Sequence, residues 1–327
     1  MVKLEIDASE MLHYARHLTN DIIYTDNEEL VAGLKGDGMG FETTDIWRIN
    51  DWHEKLNIAL RSIANDHIAI YSHVIRRKTT EYPSGDFSSD FAKSLDEKYQ
   101  RHIFDRNMYV NEIYITVILR RTIGRADKMM SGLGRRFSKS DPGHKEDEQD
   151  RIERLNDVVQ DLGKFAERLA VRRLKTYEHR NLIFSELLEF FSFIMTGRKR
   201  HVPLVRGHLG NALYSDRIIF GPEALEIREA SSSRLAGIMG VRELAARTFP
   251  GMLNGLLGID AEFVMTQSFA FMSKAAGIET TRRKAGQRPT TDNLAYSHSE
   301  YFIGTMDNMY SGRFGLCKHH ISVMVCG

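Results

Sequence analysis

Proton transfer and metal binding are the chemistries open to Glu112, to Glu178-His179 and to the run Cys317-Lys318-His319-His320. A general acid or base needs a partner that tunes its pKa, and no such partner is visible beside Glu112 or Glu178-His179. If the last run is a strand, Cys317 and His319 share one face and His320 takes the other, which leaves two ligands where zinc asks for four. The chain contains no His-Glu-x-x-His and no Cys-x-x-Cys, and the Gly-x-Ser-x-Gly of a nucleophile elbow is missing as well. Phosphate cradles fare no better. Gly36-Asp37-Gly38-Met39-Gly40 does not spell a dinucleotide fingerprint, and Asp37 would repel a phosphate. Gly132 and Gly134 precede Ser138-Lys139-Ser140, with serine where the phosphate loop requires glycine. These residues predict no catalytic group, no metal and no cofactor in this chain, and Gly36 to Gly40 read as a tight turn.

Basic residues cluster at Arg76-Arg77-Lys78, Arg120-Arg121, Arg135-Arg136, Arg172-Arg173, Arg198-Lys199-Arg200 and Arg282-Arg283-Lys284. Several fall at the ends of expected strands and helices, where charges are ordinarily just solvated. If they converge, they would face anionic lipid headgroups or an acidic partner surface. Arg76, Arg77, Lys78, Arg198, Lys199 and Arg200 are the candidates for that role. Few aromatics interleave with them, which argues against a nucleic-acid groove.

Those groups must be held by a folded body, and the composition supports one. Lys and Arg number 45 and Asp and Glu 44 among 327 residues, and 42% of the chain is hydrophobic. That excludes a disordered chain and global electrostatic capture of nucleic acid. A globule of this size buries roughly 75% of its unfolded surface. Cys317 and Cys326 make no disulfide framework and suit a reducing compartment. The N-terminal Met-Val-Lys-Leu-Glu-Ile-Asp has no apolar signal region. No apolar run approaches the ~18 residues of a membrane span, so the expectation is a soluble protein, or one held at a membrane through a partner.

Periodicity predicts strands at Asp21–Thr25 and Glu29–Lys35 around an Asp26-Asn27 turn, and a helix capped by Thr44 that runs to Ala64. The helix would bury one stripe of Ile46, Ile49, Leu56, Leu60 and Ile63, joined by His53. A strand over His67–Val74, a helix over Ser88–Ile103 with Phe91, Leu95 and Tyr99 at four-residue steps, and a strand over Met108–Leu119 follow. Gly124 to Asp150, rich in glycine and charge, reads as a flexible connection. Beyond it come an amphipathic helix from Glu148 to Leu174, an apolar helix over Phe184–Met195 stopped by Gly197, and strand candidates at 217–220, 225–228 and 234–241. A short helix at Pro250, a strand over Glu262–Phe271, a helix from Thr291 to Tyr310 and a final strand over Lys318–Val325 complete the reading. The class is α+β, with mixed sheets and packed amphipathic helices. It divides into a lobe over 1–123, the connection 124–150 and a second lobe over 151–327.

Several runs together carry a resemblance. They include Trp52-His53-Glu54-Lys55-Leu56-Asn57, Tyr71-Ser72-His73-Val74-Ile75-Arg76-Arg77, Asn107-Met108-Tyr109-Val110-Asn111-Glu112-Ile113-Tyr114, Pro250-Gly251-Met252-Leu253 and Glu262-Phe263-Val264-Met265-Thr266-Gln267-Ser268-Phe269. In this order, with Ser311-Gly312-Arg313-Phe314 and His319-His320 before the closing strand, the chain resembles the N-terminal half of the CagE/TrbE/VirB-type ATPase of type IV secretion and conjugation machines. The resemblance implies a non-catalytic assembly and docking module at the cytoplasmic face of a bacterial inner membrane. It would associate with itself and with small inner-membrane subunits, without contacting nucleic acid directly. It further implies that the closing strand leads into a RecA-like ATPase domain missing from this chain, and that ATP and magnesium belong there. A stand-alone nucleotide-binding protein using Gly36 to Gly40, or a nucleic-acid module built on the basic clusters, is the alternative.

Overall fold

The computed structural model describes residues 11–38, 40, 44–83, 85–105, 107–121, 142–165, 169–213, 216–243, 248–286, 307–308, 311 and 315–327. In chain order these form Tyr14–His17 (β1), Ile22–Thr25 (β2), Leu30–Gly36 (β3), Ile46–Ile63 (α1), Ile68–Lys78 (β4), Asp90–Phe104 (α2) and Tyr109–Leu119 (β5). Pro142–Phe165 (α3), Arg172–Arg173 (β6), Thr176–His179 (β7), Leu182–Ser185 (β8), Glu186–Thr196 (α4) and Leu209–Leu213 (α5) follow. Last come Arg217–Phe220 (β9), Leu225–Arg228 (β10), Ser233–Gly240 (β11), a 3-10 turn at Asn254–Gly258, Glu262–Phe271 (β12), Lys274–Gly286 (α6) and Cys317–Cys326 (β13).

Eleven strands make one sheet in the order β1-β2-β3-β5-β4-β12-β13-β11-β10-β9, with β6 beside β3, while β7 and β8 pair as a separate hairpin. The pairings are antiparallel; short turns join β1 to β2, β2 to β3, β9 to β10 and β10 to β11, whereas β3 with β5, β4 with β5 and β12 with β13 are neighbours across long connections. The α+β class read from the sequence holds, and no RecA-like motor is evident among the described residues. β4 pairs with β12 from Arg76 opposite Phe263 to Ala69 opposite Ala270, so the strands before residue 120 and those after residue 216 share one sheet.

Both faces of the middle strands are covered, which explains why β5 is apolar from Ile113 to Leu119 except at Thr116. On one face α4 packs Leu187, Leu188, Phe190, Phe191 and Phe193 over Ile23, Val31, Ile75, Tyr114 and Val264. Ser185 caps α4 by accepting the Leu188 N–H, and Gly197 ends it at φ 69°, the left-handed conformation that favours glycine. On the opposite face α3 contributes Leu155, Val158, Val159 and Leu162, and α1 contributes Ile63, against Ile22, Leu34, Ile70 and Val117. Gly33 leaves room for the side chains that cover β3, since a Cβ there would collide with Leu187 Cδ1 of α4 and lie 3.0 Å from Leu174 Cδ1.

Several expectations need correcting. Asp45, not Thr44, occupies the cap position of α1, and the Thr44 hydroxyl donates to Gly40 O instead. Of the α1 stripe expected in the core only Ile63 is buried, while Ile46 and Leu56 are 71% and 46% exposed. α1 packs chiefly against α3 and buries only Ala59 and Ile63, near its C-terminal end. α2 buries none of its residues, and Phe91, Leu95 and Tyr99 are 78%, 58% and 58% exposed. α3 starts at Pro142, so the acidic run Glu146 to Asp150 belongs to a helix, and it ends at Phe165 rather than Leu174. The helix at Pro250 is a turn followed by the 3-10 segment. Residues 124–141 and most of the helix expected over 291–310 lie outside the described residues.

Candidate functional site

Arg77 and Lys199, from two separate basic clusters, meet at one carboxylate. Glu112 sits on the α4 side of β5 and is only 7% exposed. Its Oε1 accepts from Arg77 Nε at 2.9 Å and from Lys199 Nζ at 2.5 Å, while Oε2 accepts from the Tyr114 hydroxyl at 2.7 Å and faces Lys35 Nζ at 3.5 Å. Strand alternation explains the positions: Glu112 and Tyr114 are two apart on β5, Lys35 lies opposite Tyr114 on β3, and Arg77 lies opposite Val110 on β4. Lys199 arrives from the segment after Gly197, which the α4 C-cap turns back toward the sheet.

The electrostatics follow from that crowding. Burial alone would raise the Glu112 pKa, but the hydrogen bonds from Lys199, Tyr114 and Arg77 outweigh it and hold the pKa at about 2. Burial lowers the Lys199 pKa, opposed by its bond to Glu112, and the neighbouring Arg77 and Lys35 charges lower it further. Tyr114 is pushed up by burial and by Glu112. A carboxylate ionised down to such low pH is a poor proton shuttle near neutrality. The cluster fastens β3, β4, β5 and the segment after α4 together, and presents Lys199, with 45% of its side chain exposed, at the surface.

The remaining candidates separate. Arg76 points to the opposite face from Arg77, where its guanidinium lies 4.3 Å from the Tyr109 ring and donates to Ile259 O and Asn111 Oδ1. The Lys78 backbone N–H donates to Glu262, and its side chain is exposed. Arg198 pairs with Glu229 at 2.9 Å. Arg200 donates to Ser192 Oγ and to both oxygens of the buried Asp216. Arg172, outside the candidate set, makes a two-pronged pair with Glu186 at 2.8 Å beside the cluster.

The groups with other chemistry stay apart. His319 stacks on Phe269 with ring centroids 4.5 Å apart, and among the described residues no three His, Cys, Asp or Glu side chains are grouped to hold a metal. At the Gly36 turn the Asp37 N–H donates to Leu169 O, so it does not point at a phosphate position. A cleft of about 630 Å³ between α3 and β3 is lined by Leu34, Asn156, Val159, Gln160, Val171 and Arg173, and its guanidinium is tied to Asn156 and Asp21. His73, absent from the sequence candidates, lies buried between Thr266 and Thr116 with its pKa lowered by burial to about 4.

Two family profiles match the chain. Residues 21–126 match the N-terminal domain of the type IV secretion system ATPase VirB4/TrbE, and residues 172–327 match the CagE, TrbE, VirB family, a component of type IV transporter systems. The chain belongs to the CagE, TrbE, VirB family. It is 35% identical over 325 residues to a type IV secretion system protein virB4 of Bartonella henselae, covering 99% of this chain and 41% of the relative. It is 31% identical to protein virB4 of Rhizobium radiobacter over 96% of the chain and 39% of that protein, and 30% identical to the Brucella suis type IV secretion system protein virB4 over 93% and 37%. The chain thus spans about two fifths of the length of these curated relatives. Among the described residues no helix is long and apolar enough to cross a membrane.

Proposed function

We propose that this chain is the assembly and docking part of a type IV secretion ATPase, and that it does no chemistry of its own. The observation that carries the reading is the apolar stripe of α2, Phe91, Leu95 and Tyr99, turned away from the body at helical spacing. Such a stripe is costly to leave in water unless a partner covers it. The tightly ionised Glu112 supports the non-catalytic half of the proposal, because this buried carboxylate serves to fasten strands. In this reading ATP and magnesium are not bound by these residues. The partners are small inner-membrane subunits of the machine and further copies of the protein, the station is the cytoplasmic face of the inner membrane, and nucleic acid is not contacted directly.

The test is fractionation of cells that carry or lack the other secretion subunits. The chain is expected in the membrane fraction only when those subunits are present, and Phe91→Ser with Leu95→Ser should release it while its circular dichroism stays unchanged. Equal partitioning with and without the subunits, or sustained ATP hydrolysis by the purified chain, would overturn the proposal.

A further inference from the structure

The four-residue steps of Phe91, Leu95 and Tyr99 draw a ridge along α2, and the two sides of that ridge differ. At about 3.6 residues per turn, Ala92, Asp96, Gln100 and Ile103 form the row on one side, and all four are half-buried against the body. Asp96 already has a partner there, since its Oδ1 accepts from the Tyr82 hydroxyl at 2.7 Å. Lys98 and Arg101 lie on the other, open side, and both are exposed. Arg101 directs its Nε to the Glu97 backbone carbonyl at 3.2 Å, and among the described residues neither it nor Lys98 makes an ion pair. The other acids of the helix, Asp90 and Glu97, fall on the side remote from the ridge. The apolar ridge thus runs beside two cations that lack a paired carboxylate among the described residues.

Resting on the docking reading above, we infer that the α2 stripe takes an amphipathic helix of a partner protein. That helix lays an apolar row against Phe91, Leu95 and Tyr99, and beside the row it carries two acidic residues one turn apart that face Lys98 and Arg101. The ridge selects a helix, because side chains at four-residue steps interlock with the grooves of another helix. The charges select its chemistry. Lys98 and Arg101 stand one turn apart on the same side of the ridge, so two carboxylates with matching spacing meet both. An anionic lipid surface gains less here, since Asp90, Asp96 and Glu97 balance Lys93, Lys98 and Arg101 over the helix as a whole.

The experiment is fluorescence anisotropy of a labelled, stapled helical peptide titrated with the purified chain. The peptide has leucine at every fourth position and two glutamates one turn apart beside that row. Lys98→Glu with Arg101→Glu, both at exposed positions, should weaken its binding by about tenfold and strengthen by a similar factor the binding of a peptide with lysines in place of the glutamates. Phe91→Ser with Leu95→Ser should abolish the binding of both peptides. If that stripe variant binds as the parent does, the stripe is not the docking surface and the reading beneath the inference falls with it. If the stripe variant loses the peptide while charge reversal changes nothing, docking stands and the acidic helix alone is overturned. Failure of the parent to bind either peptide overturns it as well. Sedimentation with phosphatidylglycerol vesicles that charge reversal prevents would make lipid the occupant, and self-association lost in the stripe variant would make it a second copy. Either result overturns the inference.

Discussion

At the residue scale two buried titratable groups set how the protein answers acid, and their windows differ. The His73 pKa is lowered from 6.5 to about 4, so between those values the unfolded chain holds a proton that the folded chain refuses. Stability therefore falls as pH drops from about 6.5 to about 4, by up to about 3 kcal/mol. Glu112 is also depressed, from 4.5 to about 2, so its contribution is complete above about pH 4.5 and is lost as pH falls toward 2, again by up to about 3 kcal/mol. Urea unfolding across this range should show the two losses in sequence. His73→Gln should remove the upper one. Glu112→Gln should remove the lower one while costing about 3 kcal/mol near neutrality, because Arg77, Lys199 and Lys35 then lose their shared carboxylate. Little of this was legible in the sequence. Glu112 is legible as a candidate acid, but its Arg77 and Lys199 partners lie 35 and 87 residues distant. The basic triplet at 76–78 read as one patch although the argument that separates His319 from His320 applies to it equally: neighbours on a strand face opposite ways.

At the element scale, periodicity located strands and helices better than it located their partners. β2 to β5, β9 to β13 and α4 follow the sequence expectation to within a few residues because alternation and the turn residues agree there. The β7–β8 hairpin was missed, though its turn has a signal in Arg180-Asn181, both at positive φ (51° and 61°), the conformation a two-residue hairpin turn demands. The apolar stripe of α1 predicts burial, yet amphipathicity says only that one face is apolar, and on α1 as on α2 that face is largely uncovered. Phe91→Ser in α2 is accordingly expected to change stability by less than about 0.5 kcal/mol. Gly33→Ala should cost about 1–3 kcal/mol, since the new methyl group meets the fully buried Leu187 and Leu174 across the interface of β3 with α4. Thermal denaturation of the two variants beside the parent checks both.

At the scale of the whole molecule the joint between β4 and β12 decides how the chain behaves. Eight residue pairs in antiparallel register couple the α1–α3 side of the sheet to the strands that follow residue 216. Both tryptophans, Trp47 and Trp52, lie in α1, and the buried Cys326 ends β13, so the two sides carry separate natural reporters. Tryptophan fluorescence and Cys326 thiol reactivity should report the same urea midpoint. Separate midpoints would mark two lobes that fold independently.

The same joint bears on how the protein is made. β4 leaves the ribosome about 190 residues ahead of its β12 partner, which at ~5–20 residues per second is a wait of roughly 10–40 s. Throughout that interval an eleven-residue strand offers one bare edge to every other nascent chain nearby. Slow translation of the middle of the gene would lengthen that exposure, and chaperone demand should rise with it.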